Sequence, residues 1–599
     1  MEVCKISISN FRGIKSASIL LNGNNVFVGD NNSGKSTVFE ALDLVMGPDR
    51  LARHPVIDEH DFYAGEYIQN GTPVEIIIEV IVTNLNEEQL RHFANYIEWW
   101  NVTAKSLLEG PPAGTTDDEG VLPALRLTFI GNYDSEEDDF VGQTYFASSL
   151  RHDGQPELFR TRDKRKCGFL YLRTLRTGSR ALSLERGSLL DVILQMKEIR
   201  PQMWENVIAQ LKDISIATDP ALGISEILES VQSSLSSLVP YDTADKPQLK
   251  VSSLTREHLR KVLTVFMGAG IPRSDGTEYS TPYYHQGTGT INTLVLSLLT
   301  MIADIKENVI FAMEEPEIAL PPHIQKRVVL SVIDKSTQAL FTSHSPYVLE
   351  EFSPENILVI SRNNGVMEAV SAGMPPTIKK KQYRDELRRR FCESLLARRV
   401  LITEGRTELD VYMAAARKLQ KLQPNRSLSF ELLGIALVNA ETDTQVEQLG
   451  RYYHQLNKTV YAVFDKQEKE VHDRILAAVD YAYEANEHGL ENVVLKNIDY
   501  DVLLRYGMQL IAEGEWPPHL AQNIPNAGMK PDELYNTLFN YFKWGKGHSS
   551  LAGLVEFCDE SEMPEFIKAT VYGISETIYP LDNTDDTIDI DADVTGDME

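Results

Sequence analysis

Apolar and polar positions alternate over residues 3–8, which predicts a strand, and Asn10-Phe11-Arg12-Gly13 then reads as a turn. Residues 18–21 and Asn25–Val28 predict two more strands. A glycine-rich turn and a helical spacing over Lys35–Met46 follow, so the chain opens as strand, turn, helix, the start of an α/β core. Strand-like runs recur at 74–83 and 124–130. Between them, residues 109–120 are rich in Gly, Pro and acids and predict a loop. From 188 to about 238 the pattern turns helical and amphipathic, through Leu189, Leu190, Val192 and Ile193, then Ile224, Ile227, Leu228, Val231 and Leu235. It predicts an inserted helical subdomain that serves either internal packing or dimerisation. The α/β pattern resumes near Leu249, a basic helix is expected over 379–397, and a second α/β unit begins near Arg399. The expected organisation is 1–185 and 246–375 as two parts of one α/β domain, 186–245 as the helical insertion, 376–398 as a basic linker helix, 399–580 as a second α/β domain and 581–599 as an acidic disordered tail.

Composition narrows the class. With 599 residues, 42% of them hydrophobic, the chain can bury several large cores. No apolar run reaches the roughly 18 residues of a membrane span, and Met1-Glu2-Val3-Cys4-Lys5-Ile6 does not read as a signal peptide, so a cytoplasmic protein is expected. Four isolated cysteines, Cys4, Cys167, Cys392 and Cys558, argue against a disulfide framework or a zinc site. The formal net charge of −29 is unusual for a binder of nucleic acid, but basic residues concentrate at 160–180 and 379–399, where a local patch can meet phosphates. The plainer reading of those two patches is solvated surface.

Gly29-Asp30-Asn31-Asn32-Ser33-Gly34-Lys35-Ser36 matches G-x-x-x-x-G-K-[ST] between an apolar strand and a helix. Its amides suit phosphate oxygens, Lys35 neutralises the β- and γ-phosphates and Ser36 holds Mg²⁺, with Asn31, Gly34 and Thr37 assigned to the same ATP-binding set. Downstream, Asn308–Met313 is a buried-strand run ending in Glu314-Glu315. Glu314 is expected to order the Mg²⁺ shell, and Glu315 to polarise the attacking water as the catalytic acid–base group. Between these, His285-Gln286-Gly287-Thr288-Gly289-Thr290 opens an amphipathic helix over 291–302, and Gly287, Thr288 and Gly289 suit an anion such as a γ-phosphate. Phe341-Thr342-Ser343-His344-Ser345-Pro346 ends another apolar strand, where His344 can sense the γ-phosphate. Taken singly, the glycines are a helix cap and the histidine a structural residue; their joint order favours the functional reading.

A second constellation lies toward the C-terminus. Arg399–Thr403 reads as a strand followed by Glu404-Gly405-Arg406-Thr407-Glu408, with Glu404 at the strand end and Glu408 about one helical turn later. A second strand over 459–464 ends at Asp465, and Val493-Val494-Leu495 leads as a third into Asn497-Ile498-Asp499-Tyr500-Asp501. Gly545-Lys546-Gly547 precedes a helical stretch over 548–557. Acids at successive strand ends would line one sheet edge, and carboxylates are the right ligands for Mg²⁺ or Mn²⁺.

Asn10-Phe11-Arg12-Gly13, the phosphate loop, Gln286-Gly287-Thr288-Gly289, Glu314-Glu315-Pro316-Glu317 and Thr342-Ser343-His344-Ser345-Pro346 together resemble the ABC-type ATPases of the RecF, SMC and OLD group over roughly residues 1–370. Arg12 joins the nucleotide-binding set by that resemblance. Residues 395–560 resemble the Rossmann-like Toprim domain of OLD-family nucleases. That resemblance implies metal binding by Glu404, Glu408 and Asp465, with Glu404 also catalytic. It matches Asp501 to a later family acid, with Asp499 the rival, and Lys546 to a lysine that stabilises the pentavalent phosphate. Two departures stand out: Leu320-Pro321-Pro322-His323 replaces a usual Leu-His-Pro, and Asp465-Lys466-Gln467 replaces Asp-x-Asp. The resemblance implies an ATP- and Mg²⁺-dependent DNA endonuclease, with Mn²⁺ an alternative at the nuclease site. It further implies a homodimer or larger homo-oligomer acting on DNA in prokaryotic anti-phage defence, with a partner protein or RNA. The alternative is a non-cleaving ATPase sensor or clamp whose second unit only binds nucleic acid or a partner.

Overall fold

Val26, Phe27 and Val28 have no exposed surface, and the strand they form, Asn25–Val28, is buried at every position, as a strand covered on both faces must be. In the computed structural model the chain is described over residues 1–48, 56–110, 120–151, 155–172, 182–184, 188–197, 199–212, 224–238, 255–287, 290–291, 294–295, 297–298, 301–302, 309–318, 320–375, 388–520, 523–544 and 550–579. It divides into two compact units, Met1–Ser371 and Ala372–Glu599. Parts of the helical insertion and of the helix expected at 291–302, the linker before Arg388, Thr288, Gly289, Lys546 and the tail 581–599 lie outside the described residues.

The strands of the first unit, in chain order, are β1 Glu2–Phe11, β2 Ile14–Leu20, β3 Asn25–Val28, β4 Ile68–Gln69, β5 Thr72–Pro73, β6 Ile76–Thr83, β7 Ile97–Asn101, β8 Ser106–Leu107, β9 Val121–Asp134, β10 Asp139–Phe146, β11 Phe169–Leu172, β12 Phe266–Pro272, β13 Glu278–Pro282, β14 Ile310–Glu314, β15 Gln338–Thr342, β16 Ile357–Asn363 and β17 Val366–Ser371. Among the described residues thirteen of them form one sheet, in the order β11-β14-β15-β3-β16-β17-β2-β1-β6-β9-β7-β8, with β10 on β9. The β11-β14-β15-β3-β16 half is parallel. Its strands β14 and β15 are buried at every position, as parallel strands covered on both faces require. Strands β2, β1, β6, β9 and β7 pair antiparallel, and β10 alternates between buried and exposed positions, as a half-solvated strand does.

The helix Lys35–Met46 packs Val38, Phe39, Ala41, Leu42 and Val45 into one core with Ile6, Phe27, Leu125 and Ile310. Two buried polar side chains tie distant pieces to that core. Gln338, fully buried, accepts from Val3 N at 2.7 Å and donates to Val3 O and Gly23 O at 2.9 Å each. Lys164, also fully buried, donates from Nζ to Leu44 O at 2.6 Å in the last turn of Lys35–Met46, where Thr144 Oγ1 donates at 3.3 Å. A cation suits a helix C-terminus.

In the described parts of the insertion, Leu189–Met196, Arg200–Lys212 and Ile224–Leu238 are helical. The second unit holds four parallel strands, β18 Arg399–Thr403, β19 Ile435–Asn439, β20 Thr459–Phe464 and β21 Tyr481–Glu484, in the order β19-β18-β20-β21. Helices connect them, among them Arg406–Leu422, Asp443–Gln455 and Lys469–Leu476. The strand expected at 493–495 is instead part of the helix Leu490–Lys496. Its apolar residues Leu490, Val493 and Val494 follow helical spacing and all enter one core, and Gly489, at φ 83, turns the chain into it. Short apolar runs do not separate strand from helix by pattern alone.

Burial lowers the Lys164 pKa from 10.5 to about 7, against the upward pull of Asp43. The unfolded chain therefore binds more protons than the folded one between those two values, and stability should rise with pH across that window. In Lys164→Met that rise should flatten. Urea midpoints compared at neutral pH and near pH 10 check it; identical slopes in parent and variant would show Lys164 to be solvated.

Candidate functional site

Three parallel strands of the first unit end together: β3 runs into Gly29, β14 ends at Glu314 and β15 ends at Thr342. After β3 the chain turns through Gly29, at φ 152, Asn32, at φ 64, and Gly34, at φ 101. A Cβ on Gly29 would lie 2.4 Å from Ile360 O, a backbone atom that cannot yield, so Gly29 needs glycine on space as well as backbone; at Gly34 the positive φ alone carries the need, since its near neighbour is the movable end of Met367. The helix starting at Lys35 has Gly34 as its N-cap and no side-chain cap, which leaves its first amides to a ligand.

Lys35 is buried, and its Nζ donates to Gly29 O at 2.8 Å and Asp30 O at 2.9 Å. Burial pushes its pKa down, opposed by Glu315, Asp30 and Glu317. Asn31 and Ser36 are exposed and Thr37 half-buried. Among the described residues Ser33 Oγ is a buried hydroxyl with no hydrogen-bond partner. An orphaned donor, a lysine held by the loop's own carbonyls and uncapped amides fit a polyphosphate.

Glu314, buried, accepts a 2.6 Å hydrogen bond from Tyr171 on β11, a residue that no sequence motif marks. Glu315 stands at φ 45 and donates its N–H to Thr342 O at 2.9 Å. Glu317 bonds Ser343 Oγ at 3.0 Å and His344 N at 2.6 Å; burial raises its pKa. The His344 ring is exposed, and partial burial and then Lys35 lower its pKa. Lys35, Glu315 and His344 thus share one edge. Gly287 follows the short turn Tyr283–His285, and a Cβ there would meet nothing within 4 Å.

Arg12, at φ 51, is ion-paired with Asp61 at 2.7 Å and Glu40 at 2.8 Å. It lines a cleft of about 800 Å³ with Gly13, Ile57, Asp58, Phe62 and Gly65. Its charge is neutralised locally, so its part there is to shape the cleft more than to supply a free cation.

In the second unit the carboxylates gather where β18 and β20 end. Asp465 N donates to Glu404 Oε2 at 3.1 Å, and Asp465 Oδ2 accepts from Gly489 N at 2.6 Å. Glu408 is pushed up to about 7, first by burial and then by Asp465, Glu404 and Glu491. Glu491, in the first turn of Leu490–Lys496, is the acid that motif reading missed; only the fold brings it to the other three. Asp499 and Asp501 are exposed, as N-cap and first-turn residue of the helix Tyr500–Ala512, and are not among the acids acting on Glu408. Glu484 closes β21, where Oε1 accepts from Gln467 N at 2.8 Å and Oε2 lies 3.1 Å from His472 Nδ1. Among the described residues no group of three or more His, Cys, Asp or Glu side chains is placed so that it could hold a metal ion. The donors of this edge are hard carboxylate oxygens, the type that Mg²⁺ and Mn²⁺ take.

A family model described as AAA ATPase domain matches residues 1–141 and 171–349. No curated protein matches the chain. Among solved structures, an SMC head bound to the C-terminal winged-helix domain of ScpA is 13% identical, with a TM-score of 0.33, over 63% of this chain and 100% of that one. The SMC head domain from Thermotoga maritima is 12% identical, with a TM-score of 0.27, over 62% of this chain and 99% of that one. An SMC head with an extended coiled coil, bound to the C-terminal domain of ScpA derived from Pyrococcus furiosus, is 13% identical, with a TM-score of 0.33, over 61% of this chain and 95% of that one. Among the described residues no helix is long and apolar enough to cross a membrane.

A raised carboxyl pKa is a stability cost that appears as pH climbs from the unfolded value of 4.5 to about 7. Glu408→Gln should therefore raise the melting temperature of metal-free protein at about pH 8 by roughly 2–5 °C, with no gain near pH 4. Calorimetry in EDTA reads this directly; equal melting at pH 8 would mean that Glu408 is solvated rather than buried beside the other acids.

Proposed function

The chain belongs to the AAA ATPase domain family, and on that premise we propose that it is an ABC-type, ATP-hydrolysing DNA endonuclease of the OLD kind, with a Toprim-like second unit. The observation that supports the nuclease half is the placing of Glu404 and Asp465 in hydrogen-bond contact past the ends of β18 and β20, with Glu408 raised to about 7 first by burial and then by Asp465, Glu404 and Glu491. The reading extends to a cytoplasmic homodimer or larger assembly in anti-phage defence.

In the first unit Lys35, with Asn31, Gly34 and Thr37, holds the phosphates, and Ser36 and Glu314 hold Mg²⁺. Bound ATP supplies a phosphoanhydride bond whose hydrolysis releases free energy for conformational work. Glu315 accepts the proton of the attacking water, and His344 meets the γ-phosphate oxygens. Gly287-Thr288-Gly289 serves the site of a second copy, which is why a dimer is expected.

In the second unit Glu404, Glu408, Asp465 and Glu491 hold the divalent cation, Mg²⁺ or Mn²⁺. A cation there lowers the pKa of its water and neutralises the scissile phosphate. Glu404, whose Oε2 accepts from Asp465 N, would serve as the base toward the attacking water, and Lys546 is assigned to the charge of the pentavalent phosphate. Asp501 stays in the proposal as an outer acid, with Asp499 its rival. One observation favours the alternative of a non-cleaving sensor: Gln467 stands where an acid is usual, and its backbone is held by Glu484.

Lys35→Ala should abolish tight ATP binding, and Glu315→Gln should bind ATP yet lose turnover by at least about a hundredfold. Turnover by Glu315→Gln at the parental rate would remove Glu315 from its role. Nicking of supercoiled DNA in Mg²⁺ or Mn²⁺ should vanish in Glu404→Ala, and Gln467→Asp should lower the metal concentration needed. A parent that cuts nothing while Gln467→Asp cuts would establish the sensor reading.

A further inference from the structure

Glu317 is the last acid of Glu314-Glu315-Pro316-Glu317 and has no place in the chemistry assigned above. Its side chain crosses from the loop after β14 to the loop after β15. Oε2 accepts from Ser343 Oγ at 3.0 Å and Oε1 from His344 N at 2.6 Å. Ser343 Oγ in turn accepts from Ser345 N at 3.0 Å, and Ser345 Oγ donates to Gln325 Oε1 at 2.6 Å. Gln325 Nε2 returns to the first loop, donating to Leu320 O at 2.8 Å. The two loops are thereby closed into one ring of hydrogen bonds.

Two donors point at one side chain, so the position calls for two acceptor oxygens, and an ionised carboxylate supplies both with charge-assisted bonds. Nothing smaller reaches: Asp is one methylene short of a loop already fixed by Glu315 N to Thr342 O at 2.9 Å. The His344 ring is exposed while its backbone N–H is held. Holding that N–H fixes the Cα–Cβ direction from which the ring projects.

We infer that Glu317 is a positioning residue for ATP hydrolysis: it fixes the His344 backbone, and so the imidazole relative to Lys35, without touching nucleotide. The inference rests on the ATPase reading above and adds the residue that aims its sensor. It assigns Glu317 no proton transfer and no metal.

The test is a double-mutant cycle on ATP turnover by the full-length chain, with Glu317→Ala, His344→Ala, the double variant and the near-isosteric Glu317→Gln. Melting temperatures accompany each, and ATP affinity is measured by equilibrium binding. Glu317→Ala should lower kcat by about ten- to a hundredfold, as loss of charge-assisted bonds at a reacting edge does. ATP affinity should stay within about threefold of the parent's, because Lys35 is untouched. The double variant should be no slower than His344→Ala alone, since residues acting through one another do not add. Glu317→Gln should recover part of the rate: its amide oxygen still accepts from His344 N, while the bond to Ser343 is reversed, with Ser343 Oγ accepting from the new NH₂. Losses that multiply in the double variant, or a Glu317→Gln as slow as Glu317→Ala, overturn the inference. A parent that neither binds nor hydrolyses ATP overturns the ATPase reading and this inference with it; a parent that does both while the cycle is additive overturns this inference alone.

Discussion

The nucleotide edge depends on the parallel register of β14, β15 and β3. Phe27 pairs with Thr342, and Thr342 pairs with Glu314, so the three chains leave the sheet at one level. Whatever follows each strand is delivered to one place: Gly29 and the phosphate loop, Glu315, and Ser343-His344. A slip of one residue in β15 would turn Phe341 and Leu340 to the wrong faces of a sheet buried on both sides. The register is therefore enforced by the core, and the site inherits its precision from apolar packing that touches no ligand. Gln338 adds to this by anchoring the start of β15 to Val3 and Gly23.

The loops that leave this edge carry costs that the strands do not. Asn32 and Glu315 sit at φ 64 and 45, in a region that non-glycine residues adopt at about 1–2 kcal/mol. Lys35 is buried among loop carbonyls with Asp30, Glu315 and Glu317 in electrostatic range. These features make poor sense as stability devices. They are what a site looks like when it is arranged for a highly charged ligand, whose phosphates relieve the lysine and whose cation relieves the acids.

Much of this edge was legible in the sequence because its signals are local. A glycine-rich loop between strand and helix, and apolar runs ending in acids, need only a few adjacent residues to be read. Asn25–Val28 and Lys35–Met46 form as their patterns require. The pairing partners were not legible: β16 and β17 complete the sheet between β3 and β2, and nothing local says which strand meets which. The third run of the second unit, Val493-Val494-Leu495, shows the limit from the other side. Three apolar residues suit a strand or a helix, and Gly489 and the core facing Leu490 decide for helix. That decision moves Glu491 into the carboxylate group and leaves Asp499 and Asp501 exposed. Glu317 was visible as part of a motif, but its partners Ser343 and His344 lie on another strand's exit.

Gln467 then acquires a physical reading of its own on the nuclease proposal. Like charges gathered without a cation oppose one another, and the cost rises with each acid added. Glu491 already supplies a fourth carboxylate beside Glu404, Glu408 and Asp465, and adds to the burial that, before these charges, raises Glu408 to about 7. A fifth acid at 467, two residues from Asp465, would load the same edge further. A neutral side chain there limits the repulsion, and the segment keeps its course because Glu484 receives the Gln467 amide while pairing with His472 on its other oxygen. The missing acid of the sequence pattern and the extra acid delivered by the fold are thus two halves of one electrostatic balance. On the nuclease proposal, the cation affinity of this unit would follow from which of the two dominates: the charge removed at 467 or the charge added at 491.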